Sequence, residues 1–260
     1  MNAMDRSRIG RAFSYARDYD GHARVQRIVA RKLARRIAAL PLPAAPRLLE
    51  IGCGTGFLTR ALIELQLGGQ WLVTDISPRM VERCRENAGT APGRGFAVLD
   101  GECGDPGPAG PFDLICSSLA MQWFDDQESA VSRMLDWLAL GGHCLFTTLA
   151  DGSFAEWRRA HEEPGLTPGT RPLLPVSAFS RMLPQAQAEP CTVDRLIDRH
   201  GNALEFLRAL RTIGATTSKA GHKPLATGAL RRVMRNFEAG GAATTYEVVT
   251  CHFRRADDPA

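Results

Sequence analysis

Three glycines at alternate positions, Gly52, Gly54 and Gly56, give the sequence its clearest chemical feature. They follow the apolar run 47–51 and come before a segment with the spacing of a helix. Glycine suits such a turn because positive φ angles and close approach of the backbone to a ligand cause it no side-chain clash. The turn is therefore predicted to bind a nucleotide-like small molecule.

Glu50 lies just before these glycines and narrows the choice of ligand. A dinucleotide site has the spacing G-x-G-x-x-G and holds a pyrophosphate at the helix N-terminus, whereas this chain has G-x-G-x-G. A carboxylate at this place repels a diphosphate and suits a ligand with a positive centre or an amino group. Cys53, inside the motif, is interpreted as a small residue that fits a tight turn and not as a nucleophile.

These residues must be positioned by strands and helices that alternate along the chain. Apolar strands are predicted at 47–51, 70–77, 95–100, 111–120 and 142–150, and helices at 22–40, 77–88 and 125–140. The alternation predicts an α/β fold with a doubly wound, mostly parallel sheet. Such sheets bind ligands at the carboxyl ends of their strands, which is where Asp75 and Asp100 stand.

The regular alternation of predicted strands and helices ends after residue 150. The segment 151–175 is rich in proline and glycine and is interpreted as a lid or insertion. Beyond it, strands are predicted at 191–200 and 244–255, and an amphipathic helix at 202–215, with a further helix starting at 227.

Composition excludes several classes of protein. The 260 residues are 44% hydrophobic and 23% charged, which is ordinary for a globular protein. We find neither an apolar run of 18 residues nor the apolar core of a signal peptide, so we expect a cytoplasmic protein without a membrane partner. The seven cysteines show no CxxC spacing and the six histidines are dispersed, so we expect no metal.

Positive charge is concentrated at the two ends of the chain. Residues 1–42 hold ten Arg and Lys against three Asp and Glu, and residues 195–260 hold eleven against six. Each arginine alone fits a solvated helix face, but as a set they suit an acidic partner. Nucleic acid is not the expected partner, because no aromatic residues interleave with the basic ones.

The stretch E-x-G-x-G-x-G at 50–56 resembles motif I of class I S-adenosylmethionine (SAM) methyltransferases. The resemblance implies a seven-stranded sheet with a helical lid after the fifth strand, Asp75 on the ribose hydroxyls, and Asp100 on the adenine amino group. It also implies that the end of the fourth strand lies beside the transferred methyl group. The cofactor-binding residues expected on this basis are Tyr19, Glu50, Gly52, Cys53, Gly54, Asp75, Ile76, Asp100, Gly101 and Ser117.

A narrower resemblance covers nearly the whole chain. The stretches AFSYARDYDGHARVQ (12–26), LAMQW (119–123), LFTTLADGSFAEW (145–157), LRALRTIGAT (207–216) and TTYEVV (244–249) are similar to the malonyl-acyl-carrier-protein O-methyltransferases of biotin synthesis. Ser118 departs from the family pattern, which has Asn there, and the loop in LDGECGDPGPAGP is looser than usual. LAMQW is shared with enzymes that methylate small free carboxylic acids such as trans-aconitate.

The family resemblance implies methyl transfer from SAM to the free carboxylate of a malonyl thioester on acyl carrier protein. It divides the chain into an N-terminal helical cap over the SAM site (1–45), a SAM-binding core (46–150), and a lid with C-terminal strands that complete the same domain (151–260). A carboxylate is already ionised at pH 7 and needs no general base. The candidate catalytic residues are Tyr19, Gln122, Trp123, Arg171 and Arg211.

The candidate residues have different expected roles. Arginine suits a carboxylate clamp because it is planar, always charged and bidentate, so Arg171 and Arg211 are both candidates. Tyr19 is expected to line the methyl channel, and Gln122 and Trp123 to shape the substrate side. His22 is interpreted as a solvated helix residue and not as a base.

Three alternatives remain open from the sequence. One is a SAM-dependent methyltransferase of a small free acid, and another is a non-catalytic protein that binds SAM or the carrier. A nucleic-acid methyltransferase is the third, and against it the place after the fourth strand holds SSLAMQW instead of an Asn/Asp-Pro-Pro-aromatic stretch.

Overall fold

The computed structural model describes residues 21, 23–162, 165–183, 187–212 and 221–256. Its strands are β1 Arg47–Ile51, β2 Gln70–Asp75, β3 Arg94–Val98, β4 Phe112–Ser118, β5 Leu138–Leu149, β6 Gln187–Arg199 and β7 Ala243–Arg254. Its helices are α1 Arg24–Ala38, α2 Phe57–Glu64, α3 Pro78–Ala88, α4 Gln127–Trp137, α5 Ala155–Glu162, α6 Val176–Phe179, α7 Ala203–Thr212 and α8 Thr227–Ala239.

The seven strands form one sheet in the order β3-β2-β1-β4-β5-β7-β6. The first five in this order pair in parallel, whereas β7 is antiparallel to both β5 and β6. The strand order reverses between β1 and β4, and a doubly wound sheet places its ligand crevice at such a reversal. The predicted seven-stranded, mostly parallel α/β fold is confirmed.

Both faces of the sheet are covered, so its central strands are apolar on both sides. On β1, Leu48 packs into the cluster that includes Leu33 of α1 and Leu62 of α2. The next residue, Leu49, packs on the opposite face with Val131 of α4. Because both faces are covered, Leu48, Leu49 and Ile51 of β1 are all apolar and buried, whichever face they point to.

The junction of α4 and β5 differs from the prediction. A helix was expected over 125–140, but α4 ends at Trp137 and β5 begins at Leu138, which pairs with Phe112 of β4. Gly142 then passes so close to β4 that a Cβ there would lie 2.9 Å from the carbonyl oxygen of Phe112. Pairing with β4 therefore replaces the last helical turn that the local sequence favours.

The segment after β5 forms a helical layer with its own apolar cluster. Trp157 of α5, Phe206 of α7 and Phe237 of α8 meet with ring centroids 5.0 to 5.4 Å apart. The predicted strand 191–200 is longer than expected, because β6 begins at Gln187 and pairs with β7 along the edge of the sheet. The predicted helices after the fifth strand are thus present. Their role as a lid, and the division into cap, core and lid, stay predictions.

Two features are absent from the described residues. No helix there is long and apolar enough to cross a membrane. Within the same ranges, no group of three or more His, Cys, Asp or Glu side chains is placed to hold a metal ion.

Candidate active site

A pocket of about 920 Å³, partly open to solvent, lies at the carboxyl ends of β1, β2 and β4. The predicted cofactor residues that line it are Glu50, Gly52, Cys53, Gly54, Asp75, Ile76, Asp100 and Gly101. Other lining residues were not predicted from the sequence and come from distant segments, among them Gln26, Phe57, Met80, Leu99, Glu102 and Phe124. The helix α1 therefore reaches the pocket through Gln26, although Tyr19 and His22 lie outside the described residues.

The glycine loop has the backbone that its residue types predict. Gly52, Gly54 and Gly56 have φ angles of 70°, 54° and 89°, in the left-handed region that favours glycine. A Cβ at Gly52 would lie 2.4 Å from the Cβ of Ala120, so the loop and the segment after β4 are in direct contact. At this position glycine is required both for its φ angle and for space.

The carboxylate of Asp75 is held by two backbone amides. Gly54 N donates to Oδ2 at 2.9 Å and Ser77 N donates to Oδ1 at 2.8 Å. Burial raises the pKa of Asp75 to about 6, and these two hydrogen bonds oppose the rise. Asp75 thereby ties the glycine loop after β1 to the start of α3 and presents its carboxylate to the pocket.

Glu50 has one satisfied and one unsatisfied carboxylate oxygen. Thr59 Oγ1 donates to Oε2 at 2.7 Å, whereas Oε1 is buried with no hydrogen-bond partner among the described residues. Burial, with a smaller contribution from the charge of Asp75, raises the pKa of Glu50 to about 7. A buried acceptor without a donor is costly, and a ligand amino group in the pocket would satisfy it.

Cys53 lines the pocket without the properties of a nucleophile. A hydrogen bond with Cys84, burial and the nearby carboxylates of Asp75 and Glu50 together raise the pKa of its thiol well above the ordinary value. A thiol that stays protonated is a poor nucleophile. The geometry therefore supports the interpretation of Cys53 as a small residue in a tight turn.

The turn after β3 is fastened to the segment after β4. Asp100 Oδ1 accepts hydrogen bonds from the amides of Glu102 at 2.9 Å and Cys103 at 3.3 Å. The buried carboxylate of Glu102 in turn accepts from the amides of Asp125 and Asp126, both at 3.0 Å. Glu102 is therefore a connector that the sequence analysis missed; its place two residues after Asp100 was the available signal.

At the end of β4, two neighbouring serines differ in their position relative to the pocket. Ser117 was expected in the cofactor site, but its hydroxyl is buried away from the pocket, and the neighbouring Ser118 lines the pocket instead. Successive side chains of a strand point to opposite faces, so one position decides which serine meets a ligand. Of the two residues expected to shape the substrate side, Trp123 lines the pocket and Gln122 does not.

Comparison with known proteins shows which family this chain belongs to. A methyltransferase domain model matches residues 49–144. The malonyl-[acyl-carrier protein] O-methyltransferase of Magnetococcus marinus is 40% identical over 256 residues, covering 96% of this chain and 93% of that protein. This chain belongs to the malonyl-[acyl-carrier protein] O-methyltransferase family.

A second relative is longer than this chain. The biotin biosynthesis bifunctional protein of Bordetella avium is 44% identical over 252 residues, which cover 96% of this chain and 53% of that protein. This member of the methyltransferase family thus spans about half the length of the bifunctional relative.

Solved structures agree on the fold. The YcgJ protein of Bacillus subtilis has a TM-score of 0.60 at 16% identity, covering 86% of this chain and 98% of that one. The N-methyltransferase NodS of Bradyrhizobium japonicum, in complex with S-adenosylhomocysteine, has a TM-score of 0.51 at 17% identity, covering 96% and 98%. At these identities the likeness shows that the methyltransferase shares their fold.

The two arginine candidates of the methyltransferase lie in different places. Arg171 donates from Nη2 to Asp125 Oδ1 at 2.9 Å, next to the pocket-lining residue Phe124, and its side chain is 17% exposed. Arg211 lies exposed in the last turn of α7 and does not line the pocket. The structure brings only Arg171 close to the candidate site.

Proposed function

We propose that this chain transfers a methyl group from SAM to the free carboxylate of a malonyl thioester carried on acyl carrier protein. The products are the malonyl methyl ester and S-adenosylhomocysteine. The observation that carries the proposal is the full-length similarity to the Magnetococcus protein of that name, with the acids and glycines of a SAM pocket in place.

The residues of the pocket fit SAM in their donors and acceptors. The orphaned Oε1 of Glu50 suits the amino group of the methionine part, and the backbone-held carboxylate of Asp75 suits the ribose hydroxyls. Asp100, on the turn that Glu102 fastens, suits the adenine amino group. SAM, when bound, would supply a methyl group on a positively charged sulfur, and this sulfur is a good leaving group because it departs as the neutral thioether of S-adenosylhomocysteine.

The proposed reaction requires the protein mainly to align the carboxylate with the methyl group and to exclude water. The acceptor carboxylate is ionised at pH 7, so no side chain has to remove a proton. The apolar side chains of Phe57, Leu119, Trp123 and Phe124 line the pocket and keep water from the reacting atoms. Catalysis therefore rests mainly on proximity and desolvation.

Arg171 is the proposed holder of the substrate carboxylate. Its guanidinium already binds a carboxylate through one Nη2 contact, that of Asp125, which is the neighbour in sequence of the pocket-lining Phe124. A guanidinium carries five N–H donors, so this contact leaves donors for a second carboxylate. Arg211 has the right chemistry but lacks this position.

The carrier is the proposed macromolecular partner. Acyl carrier proteins are acidic, and α1 presents exposed arginines at 31, 35 and 36. Two other cations of α1 are partly neutralised by the edge strand, since Arg24 pairs with Asp198 at 3.2 Å and Lys32 pairs with Asp194 at 2.7 Å. A further exposed arginine, Arg27, lies over the ring of Phe57 at 5.2 Å. The arginines at 31, 35 and 36 are therefore proposed to carry most of the attraction that α1 exerts.

One assay tests the proposal directly. Radiolabelled SAM is offered with malonyl-acyl carrier protein, malonyl-coenzyme A, free malonate and trans-aconitate in parallel. We expect label on the carrier-bound substrate; label on the free acids only would establish the small-acid alternative, and SAM binding without any transfer would establish a non-catalytic role. Growth of a biotin auxotroph that expresses this chain gives an independent check.

A further inference from the structure

Leu119, at the end of β4, has a backbone that leucine rarely adopts. Its φ angle is 53°, in the left-handed region, where a Cβ crowds the neighbouring backbone. The residue is not in a loose surface loop, because it lines the pocket and packs against Val25 and Val29 of α1. Such a conformation persists only where its surroundings hold it, and it commonly marks a functional site.

Hydrogen bonds hold both peptide groups of Leu119. Its N–H points to Thr147 of β5, 3.0 Å from the carbonyl oxygen and 3.1 Å from Oγ1. Its carbonyl oxygen accepts a hydrogen bond of 2.7 Å from Gln122 Nε2. Thr148 Oγ1 lies 3.5 Å from Gln122 Oε1 on the other side of the amide. The amide of Gln122 is thus directed at the backbone and not into the pocket.

The left-handed turn determines where the pocket wall lies. It brings Ala120 against Gly52, at the distance that leaves no room for a side chain on the glycine loop. Ser118, Leu119 and Ala120 all line the pocket together with the residues of that loop. A relaxed turn would therefore shift this wall relative to the glycine loop.

We propose that Gln122 is a positioning residue, which holds the turn at Leu119 in the conformation needed for methyl transfer without touching the substrate. Thr147 supports the same turn from β5. The inference rests on the proposed function, since it assigns a role within that reaction. It replaces the expectation that Gln122 shapes the substrate side by contact.

The test compares kcat with KM in two variants. Gln122→Met keeps the length of the side chain and removes its hydrogen bonds, and Thr147→Val removes only Oγ1 and keeps the backbone acceptor. Because a small misplacement of reacting groups slows the reaction strongly, we expect Gln122→Met to lower kcat by about tenfold to a hundredfold. Thr147→Val should lower kcat less, and neither should change KM for the malonyl substrate. Gln70→Met, at an exposed position of β2, is the matched control and should match the wild type.

The opposite patterns overturn the inference. A raised KM with unchanged kcat in Gln122→Met shows substrate contact, and unchanged values of both constants in the two variants show that the turn needs no such support. If Gln122→Met does not fold, Thr147→Val gives the same comparison. The wild-type rate on malonyl-acyl carrier protein tests the proposed function separately. If a free diacid is the acceptor instead, kcat and KM are compared on that diacid.

Discussion

The carboxylate of Asp75 accepts a hydrogen bond of 2.9 Å from the backbone amide of Gly54. The acid at the end of β2 and the glycine loop after β1 are therefore one structural unit, although 21 residues separate them. Ser77 N donates to the other oxygen of the same carboxylate and extends the unit to α3. A change at any of these positions should affect ligand binding through the others.

Asp75→Asn should weaken the binding of S-adenosylhomocysteine. An amide has one acceptor oxygen, so either Gly54 N or Ser77 N loses its partner, and the ribose loses a charged acceptor. We expect an affinity loss of about tenfold to a hundredfold, from the typical strength of charged hydrogen bonds. Isothermal titration calorimetry measures it, with Asp151→Asn, at an exposed position, as the control. Equal affinity in the two variants would contradict the role of Asp75.

Glu50→Gln should stabilise the ligand-free protein at pH 8. Burial raises the pKa of Glu50 from 4.5 to about 7, so the folded state binds its proton more tightly than the unfolded state does. Stability from this group is therefore lost as the pH rises from about 4.5 to about 7, and the full cost above pH 7 is about 3 kcal/mol. Thermal unfolding at pH 5 and pH 8 should show the gain in melting temperature mainly at pH 8, with Glu64→Gln, at an exposed position, as the control.

Glu50 should also make ligand binding depend on pH. A ligand amino group favours the ionised carboxylate, so the affinity for S-adenosylhomocysteine should fall as the pH drops below about 7. Titrations of the wild type and of Glu50→Gln between pH 5 and pH 8 check this. A variant that retains both the wild-type affinity and its pH dependence would exclude Glu50 from the site.

Gly52→Ala should abolish cofactor binding and destabilise the fold. Its new Cβ meets the Cβ of Ala120 at 2.4 Å, in addition to the strain of a positive φ angle. Gly107→Ala separates the two effects, because Gly107 has a φ of 62° and a Cβ there meets nothing within 4 Å. We expect Gly107→Ala to cost about 1 kcal/mol and Gly52→Ala clearly more, as measured by chemical unfolding. Equal losses would mean that Ala120 moves aside freely.

Arg171→Ala should raise KM for the malonyl substrate by about tenfold or more, since it removes a charged partner of the carboxylate. Arg211→Ala, in the exposed last turn of α7, should leave KM unchanged. The variant Asp125→Asn tests whether Arg171 binds the substrate carboxylate or only links its own segment to Asp125. It frees the guanidinium and should preserve or lower KM if Arg171 binds substrate. A raised KM in Asp125→Asn would instead assign Arg171 to the link.

Charge reversal on α1 should weaken carrier binding selectively. The triple change Arg31→Glu, Arg35→Glu and Arg36→Glu should raise KM for malonyl-acyl carrier protein by about tenfold at low salt and leave KM for SAM unchanged. The difference should shrink as ionic strength rises, because salt screens exposed charges. Arg85→Glu on α3, which pairs with Glu82 in the wild type, is the control. An unchanged KM in the triple variant would remove α1 from the docking surface.

The sequence by itself determined the class of fold and the centre of the pocket. Local patterns in the sequence mark the residues of the pocket. These are the glycines at alternate positions, Glu50 before them, and Asp75 and Asp100 at the ends of strands. Parallel strands bring their carboxyl ends to one edge, so these residues had to meet. The family resemblance, which is also confirmed, depended on stretches spread over the whole chain.

Only the tertiary structure decided how the pocket wall is built. The register of β4 places Ser118 and not Ser117 at the pocket, and Ala120, which follows the left-handed turn at Leu119, lies against Gly52. Glu102 accepts hydrogen bonds from backbone amides 23 and 24 residues away, and its place after Asp100 in the sequence does not reveal these partners. These features arise from packing between segments far apart in the chain. Local periodicity fixes which residues face a strand end, but the distances between such segments are set only when the helices and strands pack together.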